Sequence, residues 1–425
     1  MSVVRRVGAA VALAMAAMLV SGCSDASPDP SGTAAADSPA PPLVAATVAP
    51  SIPLGDPADL QFPAVGDGAI GIAHADGSVQ VLGRGGDTGT VPIASITKVI
   101  TSLVVLDAHP LNGRDDQGPT LTLGQADLDV TAEVEAENQF AEPMYSGQQV
   151  TLHDALAITL LTSANNYAES VARWAFGSEE AYLAAARTWL TEHGLTQTTL
   201  ADASGLDPGS ASSTADLLRV AALAHANPAL LAIAGMSTYD QVDLGTIANQ
   251  NILLGEGGVD GLKTGSTSYA GFTLLTSAVV PVGSGAVAGS AGSSTPAEVD
   301  GSAASATLVA VVLGTESLDA RFATTRALLA SAEAGLKFVP LATAGQVFGT
   351  YTSASGAAYD AVAADPLSAV VFGDTPVTPT VALDALPTDA AGAVVPAAGT
   401  VVGHTTFTVG TATYDVPLTL ALSAE

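Results

Sequence analysis

Basic residues are scarce in this 425-residue chain: 12 Lys and Arg oppose 41 Asp and Glu, for a formal net charge of −29 and a pI near 4.1. Gripping a nucleic-acid backbone takes a basic stripe, so no nucleic-acid partner is expected. The acidity itself reads as a solvated surface. Cysteine occurs once, at Cys23, which excludes an intramolecular disulfide. No Cys/His cluster and no Gly-rich phosphate loop is present, so neither a metal nor a nucleotide cofactor is expected. Charged residues make up only 12% and hydrophobic residues 48%, too apolar for a disordered chain. The apolar run from Val7 to Val20 falls short of the roughly 20 residues that a transmembrane helix needs. What remains is a folded body of about two domains, since one usually takes roughly 100–200 residues.

The chain opens with Arg5 and Arg6, the short apolar run, and Ser21-Gly22-Cys23, the pattern of an export signal over residues 1–23. Val20-Ser21-Gly22-Cys23 resembles a bacterial lipobox, which implies a lipid on Cys23; an ordinary signal peptide cleaved elsewhere is the alternative. Residues 24–56 are Pro, Ala, Ser, Thr and Asp with almost no large side chain, the composition of a disordered tether. Folded sequence is expected from residue 57, with one domain over 57–338 and a small all-β domain over 339–425.

Within the first domain, Gly68–His74 and Ser78–Leu82 read as strands joined by Ala75-Asp76-Gly77, an Asp-Gly hairpin signal. From Ser95 to Asp107 the apolar residues Ile96, Val99, Ile100, Leu103 and Val104 keep helical spacing. Further helices are expected at Leu152–Leu161, Tyr167–Phe176, Glu180–His193 and Ala215–Ala226, the last stopping at Asn227-Pro228. Strands at Gly271–Val279 and Thr307–Leu313 flank a Gly, Ser and Ala stretch from Val282 to Ser305 that reads as a long loop. A helix over Leu318–Leu336 closes the domain. After Lys337, short Val- and Thr-rich runs ending in Thr405–Val409 and Thr411–Leu422 suggest the all-β domain.

Lysine occurs only at Lys98, Lys263 and Lys337, and two of the three sit in suggestive settings. Ser95 and Lys98 lie three residues apart at a helix start, so hydroxyl and amine share a face. A serine attacks well only if a neighbour takes its proton, and a lysine can do so only with a pKa far below its usual value of about 10.4. Burial and a second cation lower it, and Lys263, in Lys263-Thr264-Gly265-Ser266-Thr267, is a candidate for that cation and for binding a substrate carboxylate. Between them lies Ser163-Ala164-Asn165, a hydroxyl to relay a proton and an amide to hold a substrate. Of seven asparagines, only Asn165 has Ser two positions before it. His153-Asp154 invites a Ser/His/Asp proposal, but neighbours on a helix point about 100° apart.

In this order, Ser95-x-x-Lys98, Ser163-x-Asn165 and Lys263-Thr264-Gly265 form the three-part signature of penicillin-binding proteins and serine β-lactamases. The flanks Ala94–Thr101 and Val259–Gly271, together with Ala203-Ser204-Gly205-Leu206 and a closing helix carrying Arg321, resemble the low-molecular-mass serine D-Ala-D-Ala carboxypeptidases over most of residues 60–340. The resemblance implies an α+β, β-lactamase/transpeptidase-like domain, a helical cluster on an antiparallel sheet, followed by a small C-terminal all-β domain. It also implies that Ser95 attacks the penultimate D-Ala carbonyl of a peptidoglycan stem peptide and that Lys98 accepts its proton. Ser163 and Asn165 would relay and position, Lys263 with Thr264, Gly265 and Ser266 would bind the substrate, and the N–H groups of Ser95 and Ser266 would form the oxyanion hole. β-Lactams would be covalent inhibitors. The family's pattern has Asp after the Asn of its second motif, where this chain has Asn166 then Tyr167, which leaves the local hydrogen bonding open. Two alternatives stand beside this reading: a serine β-lactamase, although no Glu-x-x-Leu-Asn stretch supplies a deacylating base, and a non-catalytic wall-peptide or β-lactam-binding lipoprotein. Signal, tether and lipobox place the protein at the outer face of the cytoplasmic membrane, facing the wall.

Overall fold

A computed structural model describes residues 43–423, apart from 54, 88, 285–304, 354–355 and 387–395. The expected export signal over residues 1–23, Cys23 and most of the 282–305 stretch lie outside the described residues. The centre of the molecule is a five-stranded antiparallel sheet in the order Val259–Thr267, Gly271–Pro281, Ser305–Thr315, Asp67–Ala73, Val79–Gly85. Its middle strand is apolar on both faces because both are covered. Val309, Val311 and Leu313 point into a core shared with the helical cluster, whereas Leu308, Ala310 and Val312 point to the opposite core. Successive side chains of a strand alternate faces, so this near-continuous run reports a sheet sandwiched between helices.

Eight α-helices stand among the described residues: α1 (Thr97–Ala108), α2 (Gln125–Ala136), α3 (Leu152–Leu161), α4 (Asn165–Phe176), α5 (Glu179–Glu192), α6 (Thr214–Ala226), α7 (Pro228–Ala234) and α8 (Leu318–Gly335). In α1 every residue from Thr97 to Leu106 is buried. A helix enclosed on all sides is a core element, and α3, α4, α5 and α6 pack around it on one face of the sheet while α8 covers the other. Capping follows the local chemistry: the side chains of Thr151, Ser178, Ser213 and Ser317 accept N–H groups in the first turns of α3, α5, α6 and α8. Asn227-Pro228, expected to stop a helix, also starts one. Asn227 caps α7 through Leu230 N–H at 3.0 Å, and Pro228 takes the first helical position, where its missing N–H costs nothing. Among the described residues no single helix is long and apolar enough to cross a membrane.

The C-terminal part is a six-stranded antiparallel sheet in the order Val44–Thr47, Val347–Thr352, Ala358–Ala363, Ala412–Leu422, Val401–Val409, Val377–Leu383. Its core contains Phe348, Tyr351, Phe407 and Leu418. A smaller sheet pairs Leu336–Ala342 with Gly283–Ser284 and Leu367–Phe372. The expected boundary at 338/339 therefore falls inside a strand, whose Leu336 belongs to the core between the five-stranded sheet and α8 and whose Leu341 belongs to the C-terminal core.

The expectation of a featureless tether over 24–56 is corrected in its described part. Val44–Thr47 adds to the sheet edge beside Val347–Thr352, Val48 N–H donates to the Phe348 carbonyl at 2.7 Å, and Leu43 and Ile52 pack against the C-terminal core. A segment too poor in large residues to build a core is held by one that already exists, through an open strand edge. The third lysine, Lys337, ends here: its Nζ lies 3.5 Å from Asp56, beside a cavity of about 880 Å³ lined by Ile52, Leu341 and Val371.

Candidate active site

A short 3-10 turn, Ala94–Ile96, runs directly into α1. Ala94 takes a left-handed φ of 49°, rare for a residue with a side chain, and buried Ile93 and Ile96 lock the turn so that Ser95 is left 8% exposed. One turn along, Lys98 is fully buried. Its Nζ is 2.9 Å from Ser95 Oγ, 2.6 Å from Asn165 Oδ1 and 2.7 Å from the Ser204 carbonyl. Burial lowers the Lys98 amine to about 7, with Asp202 and Glu169 pulling partly in the other direction.

Asn165 opens α4, and the residue before its N-cap, Ser163, has a left-handed φ of 67°. That turn buries both side chains and aims Asn165 at Lys98, while the Asn165 N–H donates to the Phe140 carbonyl at 2.8 Å. The three partners of Lys98 do not include Ser163. Asn166, the departure from the family pattern, faces away and is fully buried. Its amide donates to Thr131 Oγ1 at 3.0 Å and to the Glu142 carbonyl at 2.7 Å and accepts the Glu142 N–H at 3.2 Å. It pins the 138–148 loop.

The opposite wall is the edge strand Val259–Thr267, which has one neighbour in its sheet. Lys263 and Thr264 are buried on it and Ser266 is exposed. Lys263 is held well below its ordinary value by burial, then by the neighbouring Lys98 and Arg321. Among the described residues, the one hydrogen-bond contact of its Nζ is a long 3.5 Å approach to Thr264 Oγ1. A side chain on Gly265 would sit 3.0 Å from the Ser95 nitrogen and 2.6 Å from Thr273 Oγ1, so glycine is what lets this strand approach the Ser95 backbone. Behind it, Arg321 Nη1 donates to the Gly265 carbonyl at 3.2 Å and the Thr273 carbonyl at 3.4 Å, with the guanidinium 4.4 Å from the Phe322 ring centroid. Among the described residues no group of three His, Cys, Asp or Glu is placed to hold a metal ion.

The 202–210 loop closes the site from below. Asp202 accepts the N–H groups of Gly205 and Leu206 at 2.8 and 2.7 Å and the hydroxyls of Ser204 and Ser210 at 2.8 and 2.7 Å. Gly205 has φ 85°, and a side chain there would collide with the Ala94 carbonyl, so glycine lets this loop lie against the Ala94–Ile96 turn.

The family model described as D-alanyl-D-alanine carboxypeptidase, Peptidase S11, matches residues 69–283, a little over half of the chain and the span that contains every group just described around Ser95 except Arg321. The chain belongs to this D-alanyl-D-alanine carboxypeptidase family. It is 30% identical over 210 residues to the D-alanyl-D-alanine carboxypeptidase DacC of Escherichia coli (strain K12), covering 47% of this chain and 50% of that protein. The chain thus spans about half the length of the curated relatives it matches. In fold it is similar to a DD-transpeptidase from Streptomyces, at 21% identity and TM-score 0.51 over 63% of this chain and 97% of the other. It is also similar to the D-alanyl-D-alanine carboxypeptidase DacD from Francisella tularensis, at 16% identity and TM-score 0.59 over 89% of this chain and 98% of the other. The expected transpeptidase-like α+β fold is therefore the observed one.

Every family-motif residue named from the sequence lies on one of the two walls of this cleft. Two neighbouring acids were not anticipated. Glu169, on α4, accepts the Ala203 N–H at 3.2 Å and is pushed up to about 7 by burial, Asp202 and Glu179. Asp202 faces it from the loop. The available signal was the spacing of Glu169 four residues after Asn165, which puts both on one helix face.

Proposed function

We propose that this protein is a serine-type D-Ala-D-Ala carboxypeptidase that removes the terminal D-Ala from peptidoglycan stem peptides through an acyl-enzyme on Ser95. The observation that carries the reading is the hydrogen-bond geometry of Lys98. A neutral amine has two N–H groups and one lone pair. Two of its three partners, Asn165 Oδ1 and the Ser204 carbonyl, can only accept, so they take both N–H groups and the lone pair is left facing Ser95 Oγ. Neutral Lys98 is thereby a base already aimed at the hydroxyl proton, and a pKa near 7 makes that form abundant at neutral pH.

In the proposed reaction Ser95 Oγ attacks the carbonyl carbon of the penultimate D-Ala while its proton passes to Lys98 Nζ. The N–H groups of Ser95 and Ser266 receive the developing oxyanion, an arrangement usually worth several kcal/mol. The C–N bond then breaks, and the departing D-Ala amine takes a proton from Lys98 through Ser163. Water attacks the resulting ester and gives a proton to Lys98, which returns it to Ser95 Oγ as the ester C–O bond breaks, releasing the shortened peptide and restoring the Ser95 hydroxyl and the neutral Lys98 amine. Lys263, whose pKa is lowered by burial and then by Lys98 and Arg321, pairs as an ammonium with the substrate's terminal carboxylate, an approach that favours its charged form, with Thr264 and Gly265 guiding that end. Asn165 holds the peptide amide. β-Lactams, whose carboxylate and strained amide present the same features, acylate Ser95 and leave slowly.

The proposed location is the outer face of the cytoplasmic membrane, with residues 1–23 as export signal and a lipid on Cys23; the Val20–Cys23 motif supports it. Incubating the full chain in detergent with a D-Ala-D-Ala-ended peptide tests the activity. D-Ala release together with penicillin labelling, both lost in Ser95→Ala, is the expected result. Labelling without release would favour a binding protein, and rapid penicillin hydrolysis a β-lactamase. Mass spectrometry of the membrane-extracted protein tests the anchor, which predicts a diacylglycerol-modified Cys23 at the mature N-terminus.

A further inference from the structure

Glu169 lies in the second layer behind Lys98, outside the three motifs. It is on the same face of α4 as Asn165, one turn further on; Asn165 reaches Lys98 and Glu169 reaches the Ala203-Ser204 segment that also holds Lys98. Asn165 and the Ser204 carbonyl hold Lys98 Nζ, while the Glu169 carboxyl takes the Ala203 N–H. A third pin comes from α1: Thr101 Oγ1 donates to the Ala203 carbonyl at 2.7 Å and so accepts, at 2.8 Å, from the Tyr182 hydroxyl. The Ala203-Ser204 segment is therefore clamped at both ends, by Glu169 and Thr101 at one and by Lys98 at the other.

The charges around Glu169 are unbalanced. Asp202 faces it from the loop and Glu179 from the first turn of α5, both opposing its ionisation, and Lys98 from α1 is the cation it shares with Asp202. Arg173, one turn further along α4, is engaged by Asp127 at 3.4 Å.

We infer that Glu169 is a positioning residue for the base: it fixes the Ala203-Ser204 segment that presents a carbonyl to Lys98, and with Asp202 it supplies the negative charge against which Lys98 holds or releases its proton. This rests on Lys98 being the base proposed above. Such groups titrate together, so removing one charge moves the others. An ionised Glu169 favours the Lys98 ammonium; taking that charge away makes the amine easier to deprotonate. Glu179 acts one step back, since it opposes Glu169, and neutralising it favours an ionised Glu169 and hence a charged Lys98.

With only three lysines in the chain, ε-13C-lysine labelling gives a spectrum in which Lys98 is assigned by loss of its signal in Lys98→Arg and titrated directly, without reference to activity. The midpoint is expected to fall by at least about half a unit in Glu169→Gln, which keeps an acceptor for the Ala203 N–H, and to rise by a smaller amount in Glu179→Gln. A folded Glu169→Gln protein whose Lys98 midpoint is unchanged or higher overturns the inference. Should that variant not fold, the exposed Glu179→Gln decides: an upward shift supports the inference and an unmoved midpoint overturns it. Penicillin labelling of wild-type Ser95, measured separately, shows whether the catalytic reading itself fails.

Discussion

The two walls of the cleft each bury a lysine but surround it with opposite charge. On the helical wall Lys98 has two carboxyl groups behind it, Asp202 and Glu169, which partly offset the effect of burial. On the sheet wall Lys263 has Lys98 and Arg321 as neighbours, and both deepen the effect of burial; among the described residues neither Lys263 nor Arg321 has a carboxylate within ion-pair distance. One amine is tuned to exchange a proton at neutral pH. The other is left short of negative charge, so an arriving carboxylate meets a site that lacks only its own sign.

The sharpest way to break this contrast is to remove the helical-wall amine. Lys98→Ala is expected to slow Ser95 acylation by about 10²–10⁴-fold, the usual range for losing a positioned general base, measured as the rate of penicillin labelling. On the sheet wall, Lys263→Ala should reduce kcat/KM for a D-Ala-D-Ala peptide by about 10²-fold, equivalent to nearly 3 kcal/mol. The same variant should be much closer to wild type on a peptide ending in the uncharged amide, because there the carboxylate contact is already absent.

Stability against pH sharpens the comparison further. Lys98 titrates near 7 in the folded state against 10.5 ordinarily. Between those values the unfolded chain binds more protons, so this residue makes stability rise with pH across that window. Glu169 titrates near 7 against 4.5 ordinarily. Between those values the folded protein binds more protons, so this residue makes stability fall as pH rises. Denaturant midpoints measured from pH 4.5 to 10 should show Lys98→Met removing the upper rise and Glu169→Gln removing the lower fall. The smallest expected effect lies away from both walls. Asn166→Ala leaves the part-buried Glu142 N–H and carbonyl of the 138–148 loop without this partner, and should lower stability by about 1 kcal/mol, read in a denaturation curve, with the acid side of the acylation profile unmoved.

What the sequence disclosed and what it hid divides along chain separation. Ser95 and Lys98 are three residues apart on a helix, so their contact follows from helical geometry alone, and the Ser163–Asn165 and Lys263–Gly265 motifs became legible once set in order beside them. The run from Thr307 to Leu313 announced a strand, and the structure adds that both of its faces are buried. The Glu169 contact with Ala203 was not legible, because it joins α4 to a loop 34 residues away and a lone Glu on a helix looks like any solvated one. Asn166 looked like a defect in the second motif until its three hydrogen bonds showed that it serves the neighbouring loop. Val44–Thr47 carried no signal because its strand exists only through a sheet edge formed some 300 residues later. Asn227-Pro228 misled by half: the same dipeptide that ends one helix suits the start of the next.

The most direct test is the pH profile of D-Ala release from a D-Ala-D-Ala peptide, run beside penicillin labelling of the same preparation and of Ser95→Ala. A buried Lys98 acting as the base predicts that release and labelling share an acid-side fall with a midpoint near pH 7, and that both vanish without Ser95. Activity that survives in Ser95→Ala, or an acid-side midpoint near the 10.5 of an ordinary lysine, would contradict it.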